Sequence, residues 1–158
     1  MTSRNDFSEK EWKLLVFSPS FTANGIASAD GSITKDEALA ITQSLLGARN
    51  QFPKNHLIYL ILTDLPKMIE NQDFPGELRY VSTLEEAQRA FKKLGKLVDA
   101  RVSAEEAKDY KEFIASIADT VAKASGSLLK LFGKPVSPEE CEYCNIVKNA
   151  FGLPVDPT

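Results

Sequence analysis

Three acids stand around one glycine turn: Asp30, Asp36 and Glu37. Carboxylate oxygens are hard ligands, so this grouping is of the kind that holds calcium or magnesium. The order Asp30-Gly31-x-Ile33-x-x-x-Glu37 reproduces the second half of a helix-flanked calcium loop. There glycine makes the sharp turn, isoleucine enters the core and the closing glutamate clamps the ion with both oxygens. The first half lacks its ligands, because Ile26 stands where the leading aspartate belongs and Ser28 at the next ligand position. Two readings remain. One is a turn followed by a helix cap, which the missing ligands favour. The other is a partial divalent-cation site of Asp30, Asp36 and Glu37, completed by Glu139 or Glu140 from a later helix.

The remaining reactive residue types are sparse. Cys141-x-x-Cys144 places two thiols on one helix face. A helix N-terminus can lower a thiol pKa and make such a pair redox-active. With no second cysteine pair and no neighbouring histidine to complete a zinc site, structural cysteine is favoured. His56 is the only histidine. Nothing in its spacing supplies the orienting acid and nucleophile that a general base requires, so it reads as a packing or capping residue. Arg89, Lys92, Lys93 and Lys96 recur at i, i+3, i+4 and i+7 and so share one helix face. That face is either a solvated surface or a docking stripe for an acidic partner. Leu128-Leu129-Lys130-Leu131-Phe132 either closes over the core or offers a partner an apolar patch. There is no phosphate-cradling glycine loop, nucleophile elbow or metalloprotease helix. The expectation is a non-enzymatic protein with no catalytic residues.

These residues must be positioned by helices, whose starts are legible. Ser8/Glu11, Thr34/Glu37, Thr83/Glu86, Ser103/Glu106 and Ser137/Glu140 all fit the capping box, in which each side chain satisfies a backbone N–H of the first turn. Each opens an amphipathic stretch. The first runs from Ser8 to Ala29, with Trp12, Leu15 and Val16 on one face and Pro19 expected to kink or split it. The second spans Thr34 to Leu46, with Gly47 as C-cap. The third, from Asn55 to about Leu65 and ended by Pro66 or by the Asn71–Gly76 stretch, is apolar on nearly all sides and is expected to lie centrally. Residues Asn71 to Gly76 read as a loop. Further helices follow at Leu84–Ala100, Ala104–Ala124 and Pro138–Phe151, the last ended by Gly152.

The fold expectation is an all-α, single-domain bundle of about six to seven helices. Residues 8–152 form the domain, with a flexible tail at 1–7 and another at 153–158. The length of 158 residues suits one self-sufficient core. A net charge of -3 argues against a nucleic-acid binder. The longest apolar run, Leu57 to Leu62, falls far short of the roughly 20 residues of a membrane span. The start carries no secretory signal, so a cytoplasmic protein is expected.

The segment Ala27-Ser28-Ala29-Asp30-Gly31-Ser32-Ile33-Thr34-Lys35-Asp36-Glu37 resembles the signature turn of the TerB-like (tellurite-resistance) family. The closing stretch, Val136 to Glu140 through Ala150 to Leu153, is similar to that family's last helix. The resemblance implies an all-helical, non-enzymatic module associated with stress and tellurite resistance, and acidic residues as its cation contacts. Those fall here on Asp30, Asp36 and Glu37, with Glu139 and Glu140 beside them. The Cys141/Cys144 pair is not part of the family pattern. Protein partners through the basic stripe, without metal, are the alternative expectation, and a thiol redox protein is a third.

Overall fold

The computed structural model describes the backbone of residues 1–28, 35–79, 83–130 and 138–155, and the side chains of residues 1–26, 41–78, 83–123 and 138–155. After a 3₁₀ turn at Arg4–Asp6 come helices α1 (Glu9–Ser28), α2 (Lys35–Gln51), α3 (His56–Asn71) and the short α4 (Gly76–Arg79). They are followed by α5 (Leu84–Arg101), α6 (Ala104–Lys130) and α7 (Pro138–Phe151). The described residues are all-α, as expected.

The caps form where their residues are described. Ser8 and Glu11 close a full box: the Ser8 N–H donates to Glu11 Oε2 at 2.8 Å and the Glu11 N–H to Ser8 Oγ at 3.1 Å. The Glu86 N–H donates to Thr83 Oγ1 at 3.1 Å, and the Glu106 N–H to Ser103 Oγ at 3.2 Å. Asn55 caps α3 by accepting from the Ile58 N–H at 2.9 Å. Gly152, at φ 69°, ends α7. Thr34 and Ser137 lie outside the described residues.

Local stop signals at Pro19 and Gly47 do not end their helices. Pro19 neither splits nor ends α1, which is continuous through Ser28. Its ring removes the N–H that would reach the Leu15 carbonyl. Ser18 Oγ supplies the substitute, donating to Leu15 O at 2.7 Å. The Ser18 hydroxyl in turn accepts from the buried Tyr110 OH at 2.8 Å. Gly47 does not cap α2, which runs on to Gln51. The continuation buries Ala48 and brings Phe52 within 6.3 Å of Phe113, apolar contact that outweighs a glycine in mid-helix. α3 ends at Asn71, the later of the two ends its sequence allows, and it is not central, since Tyr59 and Ile69 on it are about half exposed.

The centre belongs to α6, which touches α1, α2, α3, α5 and α7. Its buried alanines, Ala107, Ala115, Ala118 and Ala122, let neighbours approach closely, while Tyr110, Phe113, Ile114, Ile117 and Val121 fill the space between. On its far side Asp119 holds the nearly buried Lys148 of α7 at 3.0 Å. The buried apolar side chains form a cluster that includes residues from all seven helices. Near the N-terminus Phe7 joins it, buried with its ring 5.5 Å from Trp12, and Thr2 donates its hydroxyl to Glu106. At the other end the Leu153 N–H donates to Lys148 O at 2.8 Å, while residues 156–158 lie outside the described set. Among the described residues no helix is long and apolar enough to cross a membrane.

Candidate functional site

The acidic turn falls largely outside the described residues. Asp30 is not among them, and Asp36 and Glu37 belong to the first turn of α2 with their side chains undescribed. Glu139 and Glu140 are described and point apart, Glu139 to solvent and Glu140 fully into the protein. Among the described residues no three histidine, cysteine, aspartate or glutamate side chains converge as a metal site.

The cysteines divide in the same way along α7. Cys141 is partly exposed and Cys144 buried. Burial, reinforced by the Asp119 carboxylate, pushes the Cys144 thiol up to about 12. The thiolate is the nucleophile in disulfide exchange, so a thiol held protonated in this way is inert. A thiol reagent at neutral pH is expected to modify Cys141 alone in the native protein and both residues in denaturant. Rapid modification of two thiols in the native protein, counted by mass spectrometry, would contradict this placement.

His56 opens α3 beside its cap and stacks on Tyr59, with ring centroids 5.8 Å apart. The Arg49 guanidinium lies 5.2 Å from the Tyr59 ring centre, and Arg49 Nη2 donates to Thr63 Oγ1 at 3.3 Å. The stacking of His56 on Tyr59 fits the packing role. Leu128, Leu129 and Lys130 are within α6, but their side chains, like the whole of Leu131 and Phe132, lie outside the described residues.

The basic stripe is the sequence-derived feature that arrives intact. Arg89, Lys92, Lys93 and Lys96 are all exposed along α5. On the opposite face of the same helix Ala87, Phe91, Leu94 and Val98 are buried, so the core fixes which way the stripe looks. Beside it runs a groove of 280 Å³ between α1, α4 and α5, floored by Leu14, Leu78 and Leu94 and edged by Arg89 and Lys93 together with Glu77 and Glu86. A second hollow of 570 Å³ adjoins it, sharing Leu14 and Glu77 and lined by Glu9, Lys10, Lys13, Phe74 and Pro75.

At the junction of the two hollows lies the Glu77 carboxylate. Lys10 Nζ is 2.6 Å from its Oε1 and Lys93 Nζ 2.5 Å from its Oε2. The two ammonium groups, Lys10 first, hold the Glu77 carboxyl below the usual carboxylate range. Nearby, Lys13 is held above its usual value, chiefly by Asp73 at 2.9 Å. Sequence reading passed over Glu77, Lys10 and Lys13. Only the charge pattern of α5 was visible there, because the convergence depends on how α1 and α5 pack. No protein-family model, no curated protein and no solved structure matches the chain.

Proposed function

We propose that this protein is a non-enzymatic helical module that docks an acidic segment of a protein partner on the basic face of α5. One observation carries the reading: four cationic side chains stand exposed in a row on α5, and two of them, Arg89 and Lys93, edge a leucine-floored groove that Glu77 and Glu86 also line. Cations along an apolar groove suit an amphipathic segment whose carboxylates meet the rim and whose apolar side chains enter the groove. The whole chain is acidic, with a net charge of -3, so this stripe stands out against its surroundings. Burial disfavours the ionised forms of Tyr110, Tyr143 and Cys144, and the reading gives none of the three a catalytic role.

Lys92 and Lys96 lie outside the Glu77 contacts and serve as the test. Lys92→Glu with Lys96→Glu is expected to weaken binding of a fluorescent Glu/Leu amphipathic peptide about ten-fold at low salt, from two exposed charge reversals. The loss should shrink as added salt screens the charges. Unchanged affinity, measured by anisotropy, would reject the α5 face.

A second reading keeps the TerB-like resemblance, with a divalent cation held by Asp30, Asp36, Glu37, Glu139 and Glu140 in a stress-associated module. It is supported by the grouping of Asp30, Asp36 and Glu37 around one glycine turn in the sequence. A cation bound by the native state alone raises the unfolding midpoint as its concentration grows. Chelator-treated protein is therefore expected to gain stability with calcium, magnesium or zinc, and the gain to vanish in Asp30→Asn/Glu37→Gln. A midpoint indifferent to all three ions would reject this second reading.

A further inference from the structure

We draw no further inference here: the strongest candidate, the pair of adjoining hollows beside the Glu77 carboxylate between α1, α4 and α5, is lined on each side, among the described residues, by two carboxylates and two cations, and nothing in the structure shows what covers it.

Discussion

Replacing Phe91 with alanine is expected to lower the unfolding free energy by about 3–5 kcal/mol, the range for deleting a buried phenyl ring. Phe91 is fully buried on the inner face of α5. Its ring centroid lies 5.4 Å from Phe21, 6.0 Å from Tyr143 and 6.0 Å from Phe151. It thus ties α5 to α1 and α7, and the aromatic pairs prefer the tilted and edge-on arrangements seen here. A domain of this size is stable by only about 5–15 kcal/mol, so the loss would be a large share of the total. Lys92→Ala, one residue further along and pointing outward, should change stability by less than about 0.5 kcal/mol. Urea denaturation of both variants checks the pair. A Phe91→Ala loss below about 1 kcal/mol would mean that the aromatic cluster is not what orients α5, and with it the basic face.

The second large effect concerns two glycines that lie in helices and behave oppositely. A glycine inside a helix is less favourable than alanine by about 0.8–1.0 kcal/mol, so Gly→Ala ordinarily stabilises. Gly47 is exposed in α2, and a Cβ there meets nothing within 4 Å. Gly47→Ala should therefore gain up to about 1 kcal/mol. Gly25 faces Tyr143 of α7 across the α1–α7 contact. A Cβ built on it would fall 2.8 Å from Tyr143 Cε2 and nearer still to Cζ and the hydroxyl. The obstruction includes the ring as well as its tip, and the tyrosine is buried, so one of the two helices must move. Gly25→Ala is expected to destabilise by about 1–3 kcal/mol, the usual range for overpacking, despite the better helix propensity. The penalty should fall in a Tyr143→Leu background, giving a coupling energy in a double-mutant cycle. Equal penalties in both backgrounds, or stabilisation by Gly25→Ala, would contradict the close approach of α1 and α7.

The features legible in the sequence are those encoded within one or two turns of helix. Ser8, Thr83 and Ser103 announce α1, α5 and α6 because a cap is a bond between residues three apart. The basic stripe of α5 is legible for the same reason, since the spacing of Arg89, Lys92, Lys93 and Lys96 is itself the helix surface. What local pattern misjudged was decided by distant contacts at Gly47 and by the neighbouring Ser18 at Pro19. Gly47 looks like a stop until Ala48 and Phe52 find the core, and Pro19 looks like a break until Ser18 supplies the missing donor. The apolar run from Leu57 to Leu62 looks central until α6, lined with alanine, takes that place. The Glu77 position depends on residues of α1, α4 and α5 meeting, and no spacing in the chain announces it. Glu139 and Glu140, read as a pair, are separated by the helix turn between adjacent residues, so one faces water and the other the interior.

The docking face is tested most directly by mapping amide chemical shifts of the isotope-labelled protein during titration with the Glu/Leu peptide. The account predicts the largest changes along the outer face of α5 and around Lys10, Leu14 and Glu77, with α2 and the outer face of α3 unmoved. Changes centred on the first turn of α7, or none at saturating peptide, would contradict it.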